Sequence, residues 1–164
     1  MAGLSALNAP SAYALAARAA LLDGDRAAAV SDLQSLEATG IHGPTIEARR
    51  VSIRAGLAAL DGRTADALSL YRDAIRRFRE SGVPLDEAFT GIEMATLLDP
   101  AIPEVVAAVE AGREILARLG AKPFLERLEA AVGRQRAGQR ESPAPRRPSG
   151  EAGPVAGPRD ASTV

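Results

Sequence analysis

Apolar side chains along this chain recur at intervals of three and four, the spacing that gathers them on one side of a helix. Val105, Val109, Gly112, Leu116 and Leu119 step by four, three, four and three. Ala67, Leu70, Ala74 and Phe78 fall near one face in the same way, with Leu68, Tyr71 and Ile75 beside them. Ala74 and Gly112 put a small residue at mid-helix, where a neighbouring helix can approach closely. No stretch of the body alternates β-branched and polar residues, so strands are not expected.

The breaks between these stretches have their own chemistry. Gly40, Gly82 and Gly120 suit the left-handed conformation that ends a helix, and Pro44, Pro84 and Pro123 follow where proline suits a first turn. The pattern predicts helices over 11–22, 45–60, 85–98 and 123–132. A further helix lies between each of three Asp turns and the glycine that follows it.

Those turns repeat. Leu22-Asp23-Gly24-Asp25, Leu60-Asp61-Gly62-Arg63 and Leu98-Asp99-Pro100-Ala101 place Asp23, Asp61 and Asp99 at intervals of 38 residues. Asp at such a position caps helices and favours tight turns. Two carboxylates in Asp23-Gly24-Asp25 are too few for a calcium cage. The fold expected is all-α: a superhelix of about three antiparallel helix pairs with a capping helix, each pair leaving a face open until its neighbour stacks on it. Residues 1–10 read as a flexible N-terminus and 11–133 as the repeat domain. Residues 134–164, with five Pro, four Gly and six Arg, read as a disordered tail. That tail carries a charge of +3 and leaves -4 on the body.

Composition narrows the chemistry. The 164 residues contain no cysteine and one histidine, His42, which excludes disulfides, thiolate sites and multi-histidine metal sites. His42 sits in Gly40-Ile41-His42-Gly43-Pro44 and reads as a solvated loop residue. A net charge of -1 argues against nucleic acid as a partner. The uncharged stretch 1–17 is short and dilute for a membrane span and has no basic start of the kind a signal peptide carries. A cytoplasmic protein with no catalytic residue, cofactor or metal is expected, without membrane attachment.

The remaining candidate chemistry is basic. Arg72, Arg76, Arg77 and Arg79 share one helix, with Arg49, Arg50 and Arg54 upstream. They read either as a solvated face paired with Asp73, Glu80 and Glu47 at helical spacing, or as a grip on an acidic peptide. On the second reading Arg49, Arg50, Arg54, Arg72 and Arg76 are the candidate partner-binding residues, on the concave face. Pro145 to Pro148 forms a P-x-x-P core in the tail, which reads as passive.

The units resemble tetratricopeptide repeats. In the second, Gly62 stands at the turn, Ala55 at the small position of the first helix, and Ala67, Tyr71 and Ala74 at the second-helix positions. In the first, Tyr13, Ala17 and Ala29 match, with Leu33 and Leu36 replacing the aromatic and the second Ala. In the third, Pro100 replaces the turn glycine, ahead of Val105, Val109 and Gly112. Residues 67–132, closing on the run from Leu119 to Leu128, are similar to the carboxyl-terminal repeats of large bacterial nucleotide cyclases and ATPase-type (LuxR-like) transcriptional regulators. The resemblance implies a non-catalytic interaction or regulatory module that binds a peptide or helix on its concave face. The alternative it implies is a C-terminal fragment of such a signalling protein whose active domain is absent. No G-x-x-x-x-G-K-[ST] loop occurs, so ATPase activity does not come with the likeness.

Overall fold

Gly24, Gly40, Gly62, Gly82 and Gly120 take φ of 74°, 65°, 73°, 64° and 65°, a region in which side-chain-bearing residues are strained, and five helix ends fall at them. The computed structural model describes residues 3–141. Among the described residues there are seven helices and no strand: α1 (Gly3–Leu22), α2 (Arg26–Ala38), α3 (Pro44–Leu60), α4 (Thr64–Glu80), α5 (Pro84–Leu97), α6 (Pro103–Arg118) and α7 (Lys122–Glu141). None of them is long and apolar enough to cross a membrane.

The first six form three antiparallel pairs, α1 with α2, α3 with α4 and α5 with α6, and α7 caps the last pair by packing on both its helices. The odd-numbered helices form one layer. Within it α1 reaches past α3 to touch α5 directly, so this layer lies on the inside of the bend and α2, α4 and α6 flank it.

The core follows the repeat with one shift of register. On α4 the buried line is Ala67, Tyr71, Ala74 and Phe78, and Leu70 is only partly covered. On α6 Val105, Val109, Gly112 and Leu116 are buried as the spacing predicts. Leu119, the C-cap residue, is about half exposed because the helix ends there. At Gly91 helix backbones come close, and a Cβ would lie 2.7 Å from the carbonyl oxygen of Ala108; at Gly56 it would lie 2.5 Å from the Leu21 side chain. At Gly112 the corresponding gap to the Ala88 carbonyl oxygen is 3.5 Å.

Three sequence expectations need correction. The helix at the N-terminus takes in residues 3–10 and contains Pro10, whose missing N–H removes one helical hydrogen bond without ending the helix. At the other end α7 runs through residues 134–141, which had read as tail. Gln135 anchors this extension by donating to the Thr96 carbonyl oxygen at 2.6 Å. The rest of that tail, residues 142–164 with the P-x-x-P core, lies outside the described residues. The Asp turns, finally, are not equivalent. Asp25 caps α2 by accepting from the Ala28 N–H at 3.0 Å, and Asp99 accepts from the Ala101 N–H at 2.8 Å. Asp61 instead accepts from Arg26 at 2.6 Å, tying the first turn to the second.

Candidate functional site

Helix α5 breaks the apolar rule of a repeat core. Asp86, Thr90 and Glu93 sit one turn and two turns apart, on one face, and all three are buried. In the 38-residue register Glu93 stands where the first two units carry Ala17 and Ala55, both wholly buried. Partners for these carboxylates come from the two other inner helices. Arg18 of α1 places Nη1 3.2 Å from Asp86 Oδ1 and Nε 2.8 Å from Glu93 Oε1. The first is a hydrogen bond; in the second the N–H is not aimed at the oxygen, and the contact is one of charge. Arg49 of α3 donates to both oxygens of Asp86, at 3.0 and 3.1 Å, and to Ser11 Oγ at 3.0 Å. One turn further along α3, Ser52 donates to Glu93 Oε2 at 3.1 Å.

The result is a balanced quartet of two arginines and two carboxylates that joins α1, α3 and α5. Burial of this kind is costly unless the charges are paired, and the planar arginine fork suits a site shared between carboxylates. Arg18 is also flanked by two rings, its guanidinium carbon 5.7 Å from the centroid of Phe78 and 5.5 Å from that of Phe89. Phe89 in turn meets Phe124 of α7 edge to face at 4.9 Å.

Pairing does not satisfy every group. Burial pushes the Glu93 carboxyl above its ordinary range; the Arg18 charge and the Ser52 hydrogen bond pull it back, while Asp86 adds to the upward push. The Tyr71 hydroxyl is fully buried without a hydrogen-bonding partner among the described residues, and burial together with the Glu93 charge raises its pKa well above the usual value. Arg18 Nε and Nη2 likewise have no hydrogen-bond partner among the described residues.

The five arginines singled out in the sequence do not form one face. Arg49 is on the inner layer but is committed to Asp86. Arg50 is buried and ties the connection between α2 and α3, donating to the Ile41 carbonyl oxygen at 2.9 Å and pairing with Glu47. Arg54 pairs with Glu37 across to α2 at 2.6 Å. Only Arg72 and Arg76 share a surface, and it is on α4, outside the bend rather than on the concave face. Arg76 is held by Asp73 and Glu80 and Arg77 by Asp73, the solvated pairing that helical spacing favours. Arg72 is exposed and makes no ion pair among the described residues. His42 is exposed beside Glu47, its Nδ1 3.3 Å from Oε1, as a loop residue would be.

Arg72 and Arg76 flank a groove of about 360 Å³ with α4 and α6 as its banks and α5 beneath. Ile75, Met94, Ala107 and Ala108 give it an apolar lining, and Arg79, paired with Glu87 at 2.6 Å, lies across it. On the inner face, by contrast, the contact of α1 with α5 leaves two small cavities on either side of Arg18, of about 100 and 160 Å³. Sequence reasoning missed Arg18, Ser52, Asp86 and Glu93. The signal available was the carboxylate of Glu93 at a register position held by alanine in the other units. Among the described residues no three His, Asp or Glu side chains are placed to hold a metal ion. No protein-family model, curated protein or solved structure matches this chain.

Proposed function

We propose that the chain is a non-catalytic interaction module of the cytoplasm, built from tetratricopeptide-like pairs, that binds a peptide or helix of a partner protein. The observation that carries this reading is the groove between α4 and α6: it has an apolar lining that includes Ile75 and Ala107, and on its bank an exposed cation, Arg72, without an ion pair among the described residues. Ile75 and Ala107 offer apolar surface on the two banks, and a guanidinium without an ion pair among the described residues favours a partner with an acidic residue beside its apolar ones. The binding face is therefore taken to be the outer groove. Where α1 meets α5 the inner face leaves cavities of about 100 and 160 Å³, small beside a helix about 10 Å across; a hollow of about 480 Å³ beside them, at Ile92, Thr96 and Arg127, has a mostly polar lining.

A photo-cross-linking side chain at position 107, in the groove, tests this in lysate of the native host. A discrete adduct is expected there and its loss on Arg72→Glu, with none from the same probe at position 15 on the inner face. Adducts at position 15 and none at 107 would contradict the reading.

A further inference from the structure

The groove between α4 and α6 is lined by charges of both signs, and most of them are engaged within the protein. Arg76 pairs with Asp73 and Glu80, and Arg79 with Glu87. Two charged side chains of the lining make no ion pair among the described residues: Arg72, exposed on α4, and Glu104, half-buried in the first turn of α6. Helix register puts them at the same end. Helices α4 and α5 run antiparallel with Arg79 against Glu87, so Arg72, two turns before Arg79, is level with Met94, two turns after Glu87. Helix α6 runs antiparallel to α5 with Ala108 against Gly91, which brings Glu104, one turn before Ala108, to that same level. A cation and an anion therefore face each other from opposite banks. Ile75 and Ala107 follow them by three residues each, so the lining turns apolar one turn further along both banks.

We infer that the groove takes an amphipathic helix bearing an acidic residue on one edge of its apolar stripe and a basic residue on the other, an inference that rests on the groove being the binding face. The acid meets Arg72, the base meets Glu104, and the apolar stripe lies on Ile75 and Ala107. A helix acidic on both edges is disfavoured: it finds one unpaired cation and sets its second carboxylate against Glu104. A helix basic on both edges meets Arg72 in the same way. Residues i−1 and i+1 of a helix lie about 100° to either side of residue i. The recognised pattern is therefore an acid and a base flanking one apolar anchor, with a further anchor one turn away to reach Ile75 and Ala107.

The probe is a library of helical peptides with leucine at i, i+3, i+4 and i+7, and with Glu, Lys or Gln at random at i−1 and i+1, selected against the full chain. Wild type is expected to enrich Glu at one flank and Lys at the other. Glu104→Arg should enrich Glu at both flanks, and Arg72→Glu should enrich Lys at both. Glu104→Gln, a neutral change, should remove the preference for Lys. In a selected peptide, replacing Lys by Gln should weaken binding roughly threefold, and by Glu roughly tenfold, read by fluorescence anisotropy. Ala107→Trp, an exposed change on the bank of α6, separates this pattern from the groove itself and should abolish capture of every selected peptide. Peptides that this variant still captures bind elsewhere, which overturns the groove as the binding face and the pattern with it. So does failure to select any peptide. Where Ala107→Trp does abolish capture, Glu at both flanks on wild type, or flanks that Glu104→Arg and Glu104→Gln leave unchanged, overturn the charge pattern alone.

Discussion

Arg18 of α1 places its Nε 2.8 Å from Oε1 of Glu93 on α5, with side-chain exposures of 7% and 1%. These helices belong to the first and third pairs, so the contact spans the whole of the second. Asp86 shares Arg18 and takes Arg49 from the intervening helix, which makes α5 the acidic member of a three-helix clasp. A stack of pairs held only by nearest-neighbour apolar contacts has no reason to bring its first and third units together. Here the charges give it one.

Geometry rather than charge alone should govern Arg18. Lysine keeps the positive charge but cannot reach two carboxylates in one plane while lying between two rings. Arg18→Lys is expected to lower stability by about 1–3 kcal/mol, measured by urea unfolding at neutral pH. A variant within 0.5 kcal/mol of wild type, using about that figure as the bound for an incidental surface change, would remove the clasp from the account.

The pH dependence follows from Glu93. Its carboxyl is held above the ordinary value of 4.5, chiefly by burial, so between that value and its folded one the native state binds more protons than the unfolded chain. Stability from this group is therefore lost as pH rises through that window. Asp61 is shifted the other way by Arg26 and acts below its ordinary value of 3.8, outside the window. Unfolding free energies of wild type and Glu93→Gln, measured from pH 4.5 upward, should diverge, with wild type losing ground. Parallel curves would show that Glu93 titrates as an ordinary carboxyl.

Two glycines that look alike in the sequence should respond differently to alanine. Gly91 has no room, since a Cβ would lie 2.7 Å from backbone that cannot swing aside, whereas Gly112 has 3.5 Å. Alanine gains up to about 1 kcal/mol of helix propensity at either site. Overpacking of about 1–3 kcal/mol should outweigh that gain at Gly91 only. Thermal melts of Gly91→Ala and Gly112→Ala should move in opposite directions, or leave Gly112→Ala unchanged.

The Asp turns give a third contrast. Asp25→Ala removes a true N-cap and is expected to cost about 1 kcal/mol. Asp61→Ala removes an exposed ion pair and is expected to cost less than half as much, since pairs of that kind contribute about 0–1 kcal/mol. Equal losses in chemical denaturation would mean that the Arg26–Asp61 tie between the first two turns is structural.

Helices and turns were legible because each depends on neighbours in the chain. The apolar steps through Val105 and Leu116 mark the buried side of α6, and the turn residues place both ends of α3 and α5 within one residue. Beyond Val132 the argument from apolar content failed. Arg, Gln and Ala in 134–141 are good helix formers, and Gln135 finds an anchor on Thr96 that no local pattern announces. The clasp was hidden for a related reason: Arg18, Arg49 and Glu93 meet only after three helices have stacked. Periodicity shows that Glu93 lies among apolar positions, but not which cation covers it. The arginine cluster misled in the opposite sense. Its density on α3 and α4 suggested one surface, while the helix faces send Arg50 and Arg54 toward α2 and Arg72 and Arg76 to the outer groove.

The clasp itself is tested most directly by a double-mutant cycle on Arg18→Leu and Glu93→Gln, followed by urea unfolding at pH 7. Arg18→Leu alone leaves Glu93 buried without its cation and is expected to cost about 3–5 kcal/mol. Adding Glu93→Gln should restore part of that loss, giving a coupling of about 2 kcal/mol between the two positions. Losses that add to within about 0.5 kcal/mol would contradict the claim that these charges hold the first and third pairs together.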